Sequence, residues 1–299
     1  DLLERELSYG RSGFALQFML DTSLSDTDRY PLKLSDLIIM SVDKEKAPEK
    51  LVYGVMKEIK DIPNVGMNGD KFYAPEAVVG DYIDFTGSVL VIDPSGRGKD
   101  ETSYAVVKML NGFLYVPECS GLDGGYNDAT LTKLATIAKE HKVNMVLIES
   151  NFGDGMFSEL LKPYLRKIYP VTMEEVRHSI QKEKRIIDTL EPVMNQHKLI
   201  IDPKVVQKDF DSVQHHPPEK AQRYMLTYQM TRITKYRGSL AHDDRLDALA
   251  MGVAYWVEQM AADVDREILD RKEQLLTDEL DKFVNGYNIN SAPRANTWI

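Results

Sequence analysis

Residues 89–102, VLVIDPSGRGKDET, begin as four apolar residues, three of them β-branched, and break at Asp93. So uniform a run is a strand buried on both faces, and an acid at its end stands at the edge of a sheet. TSYAVVKML (102–110) reads as a second strand, and GFLYVPE (112–118) as a third after the Asn111-Gly112 turn signal. Three consecutive strands with short connections imply an antiparallel meander. Residues 143–149, VNMVLIE, are again apolar, Asn144 apart, up to Glu149. That strand should lie centrally, parallel to a neighbour, and its most economical neighbour is the strand ending at Asp93.

Between them a helix is expected from Asn127 or Asp128, with Leu131, Leu134, Ile137 and Ala138 on one face. Further helices are expected over 156–169 and 179–197, with KLIID (198–202) as a strand. A last helix opens at AHDDRLDALA (241–250), where Leu246, Leu249, Ala250, Val253 and Val257 form an apolar stripe. The resulting order is βββαβα, further elements, and a final acid-bearing helix. It resembles the ribonuclease H-like (retroviral-integrase-like) α/β fold, a mixed sheet with three antiparallel strands, a parallel fourth, and helices on both faces.

Adjacent parallel strands would bring Asp93 and Glu149 out at one carboxyl edge, where α/β sheets place ligands. Two such carboxylates repel unless cations neutralise them, so two Mg²⁺ or Mn²⁺ ions are the expected cofactors, suited to phosphodiester hydrolysis. The last helix can supply the third carboxylate. At roughly 100° per residue, Asp247 lies about 40° and Asp244 about 100° from Asp243, with the apolar stripe near 280°. Asp244 and Asp247 are the expected ligands, and Asp243 is either a helix cap or a further ligand.

Other signals are weaker. GRGKDET lacks the spacing of a phosphate-binding loop before Gly-Lys-Ser/Thr and joins two strands, so it reads as a hairpin loop whose Arg97 and Lys99 are candidates for DNA phosphates. Lys235 and Arg237, just before the acid helix, are candidates for the same backbone contact. Arg177, Lys182, Lys184 and Arg185 read as a solvated basic face. His215 and His216 read as loop residues, Asp154 as a cap of the helix from Met156, and Asn151 as a turn former.

The 299 residues carry 43% hydrophobic and 28% charged side chains, ordinary for a globular protein, and no apolar run approaches membrane-spanning length. The one cysteine, Cys119, excludes an internal disulfide and a multi-thiolate zinc site, which fits a reducing intracellular setting. A net charge of −10 argues against nonspecific coating of nucleic acid but not against local grip through basic patches and metal. Residues 1–86 are rich in turn formers and read as a linker region with short helices and strands and the end of a missing N-terminal domain. Residues 87–260 read as the main domain, and 261–299 as a charged helical tail ending in disorder.

VIDPSGRGKDET, ESNFGDGMF, DTLEPVM, YQMTRIT and AHDDRLDALA, together with FALQFMLDTSLSD near the start, resemble the C-terminal half of large terminase subunits from short-tailed phages that encode their own RNA polymerase. The resemblance covers nearly the whole chain. It implies a nuclease acting on concatemeric double-stranded DNA in the host cytoplasm, attached to an ATPase domain absent from this sequence. The acids that match are Asp93, Glu149 and the Asp243, Asp244 and Asp247 group. It also implies a portal protein and a small terminase subunit as partners, with the tail docking to the portal, and no membrane. A junction resolvase or transposase on the same fold, an actin-like nucleotide-binding domain and a docking module with vestigial acids are the rival readings.

Overall fold

The computed structural model describes residues 29–95, 101–150 and 155–286. A 3-10 turn (Leu34–Asp36) precedes strands β1 (Ile38–Ile39), β2 (Lys46–Val52), β3 (Glu58–Ile59), β4 (Phe72–Tyr73) and β5 (Ala77–Asp84). The meander follows as β6 (Gly87–Asp93), β7 (Thr102–Leu110) and β8 (Phe113–Leu122). Then come α1 (Asp128–Glu140), β9 (Met145–Glu149), α2 (Met156–Ile168), β10 (Thr172–Val176), α3 (Lys182–Asn195) and β11 (Leu199–Ile201). The chain closes through α4 (Pro203–Ser212), α5 (Pro218–Ala221), α6 (Leu226–Arg232) and α7 (Asp244–Gly286).

One sheet runs β10-β9-β6-β7-β8-β11-β1-β4-β3. β6, β7 and β8 are antiparallel neighbours, and β9 lies parallel to β6 with Val89 opposite Met145 and Ile92 opposite Ile148. The sequence patterns explain this arrangement. Asn127 accepts a hydrogen bond from the Thr130 amide at 2.8 Å and so caps α1, while Asn111 and Gly112 take positive φ at the β7–β8 turn.

Alternation fixes the faces. Leu90, Ile92, Tyr104, Val106, Val146 and Ile148 pack under Leu131, Leu134 and Ile137 of α1 and Phe157, Leu161 and Leu165 of α2. The odd-numbered residues of β6 and β9, Asp93 and Glu149 included, therefore face the other side. Gly252 of α7 approaches Val91 and Val107 there, so closely that a Cβ would stand 2.6 Å from a Val107 methyl.

Residues 34–84 hold a 3-10 turn and short strands. β1 and β4 extend the sheet beyond β11, β3 pairs with β4, and β2 and β5 form a separate antiparallel pair. Ile38, Ala47 and Leu51 share a core with Leu110, Tyr115 and Ile200, so apolar burial ties this region to the domain that follows. β10, absent from the sequence reading, adds an edge strand parallel to β9. The expected disordered end, 287–299, lies outside the described residues.

The chain divides into a unit of residues 1–255 and one of 256–299. In the second, the described residues are helical as far as Gly286, and Val264, Ile268, Leu269, Leu275, Leu276 and Leu280 are exposed. Among the described residues no helix is long and apolar enough to cross a membrane.

Candidate metal centre

Asp93 ends β6 and Glu149 ends β9, and parallel pairing brings both to one edge on the face toward α7. The first turn of α7 adds Asp247. One carboxylate oxygen from each of Asp93, Glu149 and Asp247 lies within 4.8 Å of the other two. Asp247 is fully buried. Burial, and then the neighbouring Glu149, hold the Asp93 carboxyl well above the usual range. Burial and Asp247 raise Glu149 in the same direction.

Two cations from α3 answer this crowd. Arg185 Nη2 donates to Asp247 Oδ2 at 3.0 Å and stands 3.9 Å from Glu149 Oε1. Lys182 Nζ lies 2.8 Å from Asp243, 3.1 Å from Asp247 and 3.9 Å from Asp244. Burial works against the Lys182 charge, but Asp247, Asp243 and Asp93 outweigh it and push its pKa above the ordinary lysine range. Lys182 and Arg185 are three apart and so share a helix face. That spacing is visible in the sequence, but the pair faces the acids and not the solvent expected for a basic helix face.

The donor set suits a hard divalent cation, since all three groups offer carboxylate oxygen and none offers sulfur or imidazole. Asp247 Oδ1 strengthens the fit. It lies 2.8 Å from Arg185 Nη2 but out of line for a hydrogen bond, so this buried oxygen has charge compensation and no donor.

The remaining expected site residues fall in three places. Asp244, expected as a ligand, stands outside the three-acid group, near Lys182. The Asp243 carbonyl accepts the Asp247 amide, as a residue preceding a helix does, while its carboxylate goes to Lys182. Lys235 and Arg237 are exposed on a loop pinned to α3, with Gln181 donating to the Lys235 carbonyl at 3.2 Å and the Gly238 amide donating to Glu183. Arg97, Lys99, Asn151 and Asp154 lie outside the described residues. Arg177, immediately after β10, donates to Ser150 Oγ at 3.2 Å and so sits beside Glu149.

The strand order, the parallel β6–β9 pair and the acids at its carboxyl edge define a ribonuclease H-like domain. Residues 92–199 match the family described as Terminase Bacteriophage T7, Ribonuclease H-like domain. The chain is 44% identical over 275 residues to the large terminase subunit of Enterobacteria phage T3, a match covering 90% of this chain and 47% of that protein. The chain is thus related to large terminase subunits and carries their ribonuclease H-like domain, and it spans about half the length of that relative.

Among solved structures, the human cytomegalovirus terminase nuclease domain, soaked with Mn and inhibitor-bound, aligns at TM-score 0.42 and 13% identity, covering 57% of this chain and 84% of the other. The nuclease domain of the large terminase subunit gp2 of bacterial virus Sf6 aligns at 0.38 and 15%, covering 56% and 88%.

Proposed function

We propose that the chain is the nuclease part of a viral DNA-packaging terminase, a metal-dependent endodeoxyribonuclease that cuts concatemeric double-stranded DNA with little sequence specificity. The observation that carries this reading is the convergence of Asp93, Glu149 and Asp247 from two parallel strand ends and a helix start. Three buried or half-buried carboxylates so close together weaken a fold, and a chain that keeps them has a use for bound cations.

Asp93, Glu149 and Asp247 hold Mg²⁺ or Mn²⁺ in this proposal, with Asp244 reaching the site when Lys182 moves aside. Two bound ions supply activation of the attacking water and charge stabilisation of the departing 3′ oxygen. Arg185 holds the Asp247 carboxylate in place. Lys235 and Arg237, with Arg97 and Lys99 from the β6–β7 connection, grip the DNA backbone, which carries no base information.

Residues 87–260 form the nuclease domain in this reading, and the helical tail from 261 docks to the portal protein. The whole machine adds an ATPase domain and a small terminase subunit and works in the host cytoplasm. ATP hydrolysis is not expected of this chain.

The test is nicking of supercoiled plasmid with Mn²⁺, with and without chelator, by the parent and by Asp93→Ala. Cutting should need the metal and vanish in the variant. An Asp93→Ala protein that cuts like its parent sinks the assignment, and a strong preference for branched junctions over linear duplex would move it to a resolvase.

A further inference from the structure

Arg245 stands between Asp244 and Asp247 in sequence yet belongs to a different cluster. At roughly 100° per residue it projects about 160° away from Asp247. The residue is 1% exposed. All three guanidinium nitrogens donate: Nε and Nη2 to the two Glu101 oxygens at 2.6 and 2.8 Å, and Nη1 to Asp209 at 2.8 Å and Ser212 Oγ at 2.9 Å.

The two carboxylate partners tie down different elements. Glu101 immediately precedes β7, the strand that pairs with β6 and sets Ser103 opposite Asp93. Gly121 on β8 makes room for it, because a Cβ there would fall 1.9 Å from the Glu101 carboxylate. Asp209 of α4 also accepts the Leu226 amide at 2.8 Å and the Thr227 amide at 3.2 Å, binding the start of α6. Two further bonds fix the same turn of α7: the Leu246 amide donates to Gln229 Oε1 at 3.0 Å, and the Arg245 carbonyl accepts from Cys119 Sγ.

We infer that Arg245 is a positioning residue for the metal centre: its buried fork to Glu101 and Asp209 sets where Asp247 stands relative to Asp93. A buried ion cluster is often no more stabilising than apolar packing of the same volume, so stability alone is a poor reason to keep one. What the fork supplies is direction. Two parallel bonds to one carboxylate fix both distance and orientation between α7 and the β6–β7 pair, which an apolar contact does not.

The inference rests on the metal-centre reading, and the experiment separates the two. Mn²⁺ affinity is measured by calorimetry, and the melting midpoint without metal, for the parent, Arg245→Lys, Glu101→Gln and the control Leu134→Ala. Leu134 is fully buried against the opposite face of the sheet. Arg245→Lys keeps the charge and loses the fork, so Mn²⁺ affinity should fall by about 10- to 100-fold, the usual range for residues that support metal ligands. Glu101→Gln should shift it the same way by less and gives the answer if Arg245→Lys does not fold. Leu134→Ala should lower the midpoint and leave Mn²⁺ affinity at the parent value.

If both clamp variants bind Mn²⁺ as tightly as the parent, or if Leu134→Ala weakens binding as much as they do, the positioning role is wrong. If the parent binds no Mn²⁺, the metal-centre reading fails and takes this inference with it.

Discussion

Replacing Gly252 by alanine tests whether the close approach of α7 to the sheet sets the site geometry. The new Cβ would lie 2.6 Å from Val107 Cγ2 and 3.2 Å from Val91 Cγ2, where carbon atoms at rest stand about 3.5–4.0 Å apart. Val91 and Val107 are fully buried on neighbouring central strands, so neither can yield and the helix must move out by about 1 Å. Alanine improves helix propensity by about 1 kcal/mol, while overpacking costs about 1–3 kcal/mol, which leaves a net loss of about 0–2 kcal/mol. The larger effect falls on the site. Asp247 is five residues from Gly252 on the same helix, and metal coordination tolerates only about 0.2 Å, so Mn²⁺ affinity should drop about tenfold or more. Urea unfolding and Mn²⁺ calorimetry on the same preparation give both numbers. A variant stabilised by the full helical gain, with unchanged Mn²⁺ binding, refutes the close-packing argument.

Two other perturbations have signs fixed by ionisation. Burial and Glu149 raise the Asp93 pKa in the folded chain, so its protonated form adds stability at low pH that is lost as pH rises through the folded value. Asp93→Asn should therefore melt higher than the parent at neutral pH without metal, the gap closing on acidification, and should lose the midpoint gain that Mn²⁺ gives the parent; equal midpoints at neutral pH would contradict this. Lys108 is buried, and burial lowers its pKa to about 8, partly offset by Asp43 and Glu45, while its ammonium donates to the carbonyls of Lys44 at 2.6 Å and His141 at 2.9 Å. Between pH 8 and 10.5 the unfolded chain binds the extra proton, so the parent should gain stability relative to Lys108→Met as pH rises through that window, by about 3 kcal/mol at most; a flat difference in paired urea titrations would show that Lys108 is not desolvated.

What the sequence revealed and what it hid have physical causes. Asp93 and Glu149 were readable because uniformly apolar runs have one explanation, a strand covered on both sides, and an acid ending such a run has one place to be. The Asn127 cap was readable because a cap acts locally. The two-residue strands β1, β3 and β4 are too short to carry periodicity, and β10, TMEEV, is a half-exposed edge with no apolar signal. Lys182 and Arg185 were hidden because a basic pair on a helix looks the same whether it faces water or a cluster of acids. Which of Asp243, Asp244 and Asp247 joins Asp93 and Glu149 depends on how far α7 is rotated, and Gly252 and Arg245, which pack at that contact, reveal their partners only in three dimensions.

The sheet also divides its labour between its faces, and the division follows from the chemistry of the site. Carboxylates held within 4.8 Å of one another oppose folding, and the cations that answer them, Lys182 and Arg185, are themselves desolvated at a cost. Stability must then come from surface that carries no charge. The face under α1 and α2 supplies much of it, with Leu90, Ile92, Val106, Val146 and Ile148 closed by Leu131, Leu134, Ile137, Leu161 and Leu165. The face toward α7 carries the site itself, with the buried Asp247 and the close Gly252 contact, while the buried Arg245 and Asp209 form a separate cluster. Because β6 and β9 contribute to both faces through alternate residues, the apolar side holds rigid the same strands whose ends carry Asp93 and Glu149. A substitution under α1 therefore acts chiefly on how much chain is folded, while one at the α7 contact acts also on what the folded chain can bind.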